Sequence, residues 1–240
     1  MRAEVQAKLD EVAPRVDWDA FLGMFTWKQG EHIGLIGPTG SGKTTLALSL
    51  LPLRKYITVL ATKPHDSTLA QFGKSNGFKQ FKEWPEIDAS LVPRRIVWPD
   101  AKSLYSAKEQ QAQFRKTMEQ IYSEGGWCLY IDELWFIIFH LKLELEVRTY
   151  LQQARSNNIS LVAATQRPAF VPLEIYDQST HLFFWRDNDE RNLSRIGGIS
   201  WLSSNYIRAL VAGLAPHEVL YIHVPTGRMY RTTAPNGKGN

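Results

Sequence analysis

Cysteine is nearly absent from this 240-residue chain: there is one, Cys128. A single cysteine excludes an intrachain disulfide, and its place in an apolar run predicts a core thiol in a reducing compartment. No apolar run is long enough to span a bilayer, because the longest, "LWFIIFHLKLEL", is broken by His140, Lys142 and Glu144. The opening stretch "MRAEVQAKLDEVAPRVDWDAF" lacks the apolar region of a secretory signal. We therefore expect no intrinsic membrane segment. An excess of one charge is missing too: 28 basic against 24 acidic residues leave +4, which permits a nucleic-acid partner without requiring one. No internal repeat is visible.

What is present suits a large folded core. The chain is 44% hydrophobic and 22% charged, a balance that excludes disorder for most of it. Its pattern predicts helices at 3–11 and 16–25, then a buried strand at 32–37 and a helix that stops near Pro52. Strands follow at 55–61 and 94–99, with 62–93 read as loop carrying a short helix. A helix from about 103 to 123 and a strand at 127–132 come next. One long helix is expected from Leu134 onward, with Leu134, Ile137, Ile138, Leu141 and Leu145 on one side. Further strands are expected at 159–166 and 181–186, and a hairpin at 219–224 and 228–232 that extends or caps the sheet. Alternation of strands and helices predicts an α/β fold with a mostly parallel central sheet flanked by helices, plus a C-terminal β-hairpin. The expected organisation is a helical lead-in (1–31), a core (32–213) with a variable segment (62–102), the hairpin region (214–233) and a flexible tail (234–240).

The stretch "HIGLIGPTGSGKTTLAL" carries the chemistry. Gly37, Pro38, Thr39, Gly40, Ser41, Gly42, Lys43 and Thr44 fit G-x-x-x-x-G-K-[ST], between a predicted strand and a predicted helix. The glycines let the loop curl so that backbone N–H groups face phosphate oxygens, and the following helix, opening with Lys43, Thr44 and Thr45, presents its positive end to them. Lys43 is placed to reach the β- and γ-phosphates, and the Thr44 hydroxyl to ligate Mg²⁺. No Asn-Lys-x-Asp string is present to read guanine, which favours ATP.

"WCLYIDEL" ends a buried strand in two carboxylates. Asp132 suits a magnesium ligand, directly or through water. Glu133, on the other side of the alternation, suits a base that polarises attacking water. The same pair would also favour a helix N-terminus. The next strand ends "LVAATQRP", placing Thr165 and Gln166 where an amide can touch both a γ-phosphate and a water, or else satisfy loop backbone.

With "ARSNNISLVAATQRP" following a "DE" strand, the chain resembles the FtsK–HerA superfamily of P-loop ATPases, and in particular small phage and mobile-element packaging ATPases. The resemblance implies a RecA-like core of the additional-strand type and a Mg²⁺-dependent ATPase that moves double-stranded DNA without reading its sequence. It implies a homo-oligomeric ring, in the family typically a hexamer, with ATP between subunits. A portal, capsid or vertex protein would be a partner, in the host cytoplasm or at a virion's packaging vertex. It also implies that Arg155 acts from the neighbouring subunit; a solvated helix-end role, or Arg167 or Arg186 in its place, are the alternatives. Lys74, Lys79, Lys82, Arg94, Arg95 and Lys102 are candidate DNA contacts. Trp84 and Trp98 suit packing better than stacking on nucleotides. An assembly or extrusion ATPase that does not grip DNA, or a P-loop kinase, are the alternative functions.

Overall fold

The strand His32–Ile36 (β1) is buried along its whole length, and so are Ile57–Leu60 (β2), Cys128–Ile131 (β5), Ser160–Thr165 (β6) and Ser179–Trp185 (β7). Lys79–Phe81 (β3), Arg94–Val97 (β4), Glu218–His223 (β8) and Arg228–Thr233 (β9) complete the set. The computed structural model describes residues 8–100, 103, 106–197 and 204–234. Lys102, the tail from 235 and the first residues of the helix expected at 3–11 lie outside them; residues 8–12 are helical. Among the described residues the strands form one sheet in the order β3-β4-β2-β5-β6-β1-β7-β8-β9. The first seven in that order are parallel, and the hairpin β8–β9 adds two antiparallel strands beside β7. The hairpin therefore extends the sheet. Residues 14–16 run along β9, with Val16 N–H donating to Arg231 O at 2.9 Å, and so cover an edge that would otherwise be open.

Alternation along each strand sends side chains into two cores, which is why these segments read as continuous apolar runs. On β5, Cys128 and Tyr130 enter one core, and Leu129 and Ile131 the other. The first core is closed by helices Trp18–Met24 (α1), Lys43–Leu50 (α2) and Ser67–Ser75 (α3), through Phe21, Leu46, Leu50 and Leu69. The second is closed by Ala107–Glu124 (α4), Glu144–Gln153 (α5), Glu174–Asp177 (α6), Glu190–Gly197 (α7) and Ser204–Ala212 (α8). Cys128 is free and fully buried, and burial pushes its thiol up to about 12.

Three local expectations need correction. The segment 62–93 carries not only helix α3 but also the edge strand β3. The single helix expected after Leu134 is two. A π turn, Phe136–His140, closes with Leu141 N–H on Phe136 O at 3.0 Å, and Lys142 then takes a positive φ of 55° before α5 begins. That break rotates the apolar face: Leu143 and Val147 enter the core and Leu145 is left 75% exposed. Finally, helices α6 to α8 fill stretches to which the sequence pattern gave no helix.

Candidate functional site

The loop Gly37–Gly42 leaves the carboxyl end of β1 and enters α2. Each glycine here has a steric reason. A Cβ on Gly37 would sit 2.7 Å from the Trp185 Cβ, and Gly40 and Gly42 have φ of +76° and +111°. Gly42 caps α2 with no side-chain bond, so the first N–H groups of that helix have no side-chain acceptor. Lys43 folds over the loop, its Nζ donating to Gly37 O and Pro38 O, each at 2.7 Å. Burial lowers the Lys43 pKa, partly offset by the carboxylates of Glu133 and Asp132. The Ser41 hydroxyl is buried without a partner among the described residues. Thr45 lines an open groove of about 800 Å³ beside the loop, with Ser49, Gln71, Trp185 and His217.

Thr44 Oγ1 donates to Asp132 Oδ1 at 2.7 Å, and Tyr130 OH donates to the same oxygen at 2.5 Å. The other oxygen, Oδ2, holds Lys63 Nζ at 2.9 Å. Burial would raise the Asp132 pKa, but the Tyr130 hydroxyl and the Lys63 ammonium outweigh it and lower it. A hydroxyl and a carboxylate in contact are hard oxygen donors of the type Mg²⁺ takes.

Strand β6 lies between β1 and β5, so Gln166 emerges between the loop and the Asp132–Glu133 corner. Gln166 accepts from Thr39 Oγ1 and donates through Nε2 to Glu133 Oε2 at 2.6 Å. Thr165 is buried, and its Oγ1 accepts from Arg167 N at 3.1 Å. Burial raises the Glu133 pKa, with Lys43 opposing. Its second oxygen, Oε1, is buried and meets no side-chain partner among the described residues, and the Trp135 backbone N–H also acts on the carboxylate to lower its pKa. The structure thus brings Gly37, Pro38, Thr39, Gly40, Ser41, Gly42, Lys43, Thr44, Thr45, Asp132, Glu133 and Gln166 to one end of the sheet.

Arg155 is not among them. It precedes β6, at the amino end, where Nη2 donates to Thr180 Oγ1 at 3.1 Å and Gln178 O at 3.2 Å. The length of β6, roughly 20 Å, separates it from Gln166. Arg167 and Arg186 do lie at the carboxyl end; Arg167 stacks over the Trp135 ring at 4.5 Å and Arg186 is exposed.

Among the DNA candidates, Lys74, Lys79 and Lys82 are exposed, and Arg94 donates to Asn76 O at 2.8 Å. Arg95 must be withdrawn. It is fully buried, its guanidinium 4.3 Å from the Trp84 ring and 4.7 Å from the Trp127 ring, with Nε on Val92 O. Trp84 is buried in that contact, and Trp98 packs against the other core with Nε1 on Lys63 O at 2.7 Å. Sequence reasoning missed Tyr130 and Lys63. Tyr130 was accessible, since period-two alternation puts it on the side of Asp132. Lys63 was not, because only the pairing of β2 with β5 (Leu60 opposite Ile131) brings it to Asp132.

No protein-family model and no curated protein matches the chain. Solved structures do. The DNA-packaging ATPase B204 from Sulfolobus turreted icosahedral virus superposes with a TM-score of 0.62 at 16% identity, over 88% of this chain and 100% of that one. B204 from Sulfolobus turreted icosahedral virus 2, in complex with ATP-γS, gives 0.59 at 16% identity, over 85% and 98%. VirB4 of Thermoanaerobacter pseudethanolicus gives 0.63 at 11% identity, over 86% and 90%. The strand order and these superpositions together give the chain a RecA-like P-loop NTPase fold, the one shared with the viral genome-packaging ATPase B204.

Proposed function

We propose that this chain is an ATP-driven translocase of double-stranded DNA in the FtsK–HerA superfamily, packaging a viral genome or transferring a mobile element. The observation that carries the hydrolytic part of the reading is Gln166 bridging Thr39 of the phosphate loop to Glu133, a carboxylate that also feels the Lys43 ammonium; the fold shared with the packaging ATPase B204 supports the transport part. A kinase must exclude water, whereas this arrangement is built to hold and activate it.

In this reading the loop N–H groups, the uncapped start of α2 and Lys43 bind the triphosphate. The groove beside Thr45 takes the nucleoside. Thr44 and Asp132 would hold Mg²⁺, which would supply positive charge to offset that of the phosphates. Glu133, its carboxyl made more basic by burial, accepts the proton of the attacking water. Gln166 orients that water and links the γ-phosphate position to the loop. Arg155 lies at the amino end of β6, a strand length of roughly 20 Å from Gln166 of its own chain, so in this reading it serves a neighbour's site. There it stabilises charge on the transferring phosphoryl, as in a ring of six copies. Lys74, Lys79 and Lys82 supply sequence-independent contacts to DNA phosphates. A portal, capsid or vertex protein would recruit the ring.

The test is the steady-state ATPase rate with and without long double-stranded DNA, at low salt and at concentrations that permit assembly. The reading expects several-fold stimulation that fades as salt rises. A rate indifferent to DNA would instead support an assembly or extrusion ATPase.

A further inference from the structure

Lys63 has no place in the chemistry above, yet it makes one of the site's shortest ionic contacts. Its Nζ lies 2.9 Å from Asp132 Oδ2 and 3.4 Å from Asp66 Oδ2. The Asp132 side chain is only 19% exposed, so its charge needs a partner, whereas the Lys63 side chain is 53% exposed and has room to leave. The lysine backbone, by contrast, is fixed. Trp98 Nε1 donates to Lys63 O at 2.7 Å, and Gln110 Nε2 donates to Thr62 O at 3.0 Å. Release of Asp132 therefore needs only a side-chain swing, with Asp66 as a second carboxylate to receive the ammonium.

A lysine ammonium and a divalent ion on one carboxylate are like charges in close approach. We propose that Lys63 is a positioning residue that competes with the metal for Asp132. It holds the carboxylate ready, resists a bare divalent ion, and yields when the ion arrives on a triphosphate whose negative charge also draws on the ammonium. Metal binding is thereby made conditional on nucleotide. The inference rests on Thr44 and Asp132 being the metal ligands.

Mn²⁺ binding, followed by the EPR signal of the free ion, tests it. Without nucleotide, Lys63→Met is expected to bind Mn²⁺ about tenfold more tightly than the unaltered chain, the change that loss of one charge-assisted contact produces. Lys63→Arg should bind like the unaltered chain. With a non-hydrolysable ATP analogue the three should converge. Lys63→Gln keeps an amide donor to Asp132 without the charge, and carries the test where methionine disturbs folding. Equal Mn²⁺ affinity of the Met or Gln variant and the unaltered chain, without nucleotide, would overturn the inference. Failure of the underlying site looks different: Asp132→Asn would then leave Mn²⁺–nucleotide binding unchanged.

Discussion

At the amino ends of the strands, His181 commits both ring nitrogens: Nδ1 lies 2.9 Å from Tyr221 OH and Nε2 lies 3.2 Å from Glu31 Oε2. The ring is wholly buried among Phe25 and Tyr221. At the carboxyl ends, Glu133 and Gln166 are just as closely bonded, while Glu133 Oε1 and Ser41 Oγ are buried without a hydrogen-bond partner among the described residues, as His32 Nε2 and Ser179 Oγ are at the amino ends. Lys43 meanwhile rests on backbone carbonyls that it can leave. Both ends hold ionisable groups with displaced pKa values, so displacement alone does not distinguish a site from a structural cluster. Buried unpartnered atoms therefore mark neither end; the difference is the glycine loop, which leaves the first N–H groups of α2 without a side-chain acceptor. One end ties the sheet together; the other is the end we propose receives the nucleotide.

Variants at each end can sharpen or break that contrast. The largest effect should come from Arg155, an amino-end residue proposed to complete a carboxyl-end site in another copy. Arg155→Ala should lower ATP turnover by about 10³-fold. Mixing it with Lys43→Ala should restore part of the rate, because some interfaces then pair an intact loop with an intact arginine. A mixture no more active than its components would remove Arg155 from the site. Lys43→Ala alone should cost about 10²–10³-fold, read as phosphate release, while His181→Gln at a temperature where it is folded should leave turnover unchanged. If the two variants lose activity equally, the two ends do not differ as described.

Smaller effects concern stability. Arg95→Ala should destabilise the chain by about 2–4 kcal/mol in urea unfolding, through loss of its contacts with two tryptophans and buried carbonyls. DNA stimulation of the remaining folded protein should persist. Smallest is a pH effect at the amino end. Burial lowers the pKa of His32 and of His181 from 6.5 to about 4. Both are neutral in folded and unfolded chains above pH 6.5, so their contribution is complete there. As pH falls toward 4 the unfolded chain binds the proton first, and stability drops by up to about 1.4 kcal/mol per unit for each histidine. Denaturant melts across that range should show the decline, and His181→Gln should flatten it.

The two ends also differed in how much of them the sequence disclosed. The phosphate loop was legible because its conformation and chemistry are local, set by glycine freedom and one lysine. The Asp132–Glu133 corner and Gln166 were legible as polar residues closing buried strands. The α/β class followed from the alternation of elements. Lys63 was hidden because its partner lies 69 residues away and only sheet order joins them. The break at Lys142 was hidden for another reason. It contains neither glycine nor proline, and apolar spacing runs through it unbroken until Leu145 falls on the wrong side. Arg95 misled because arginine reads as surface, although its flat cation can be sandwiched by aromatic rings.

The central claim is that Glu133 activates water at a site that binds the nucleotide independently of it. Glu133→Gln tests this directly, with affinity read by titration of a fluorescent ATP analogue and chemistry by single-turnover hydrolysis. The account predicts near-normal affinity with hydrolysis reduced by about 10²–10⁴-fold. Hydrolysis at the unaltered rate, or a loss explained wholly by weaker binding, would contradict it.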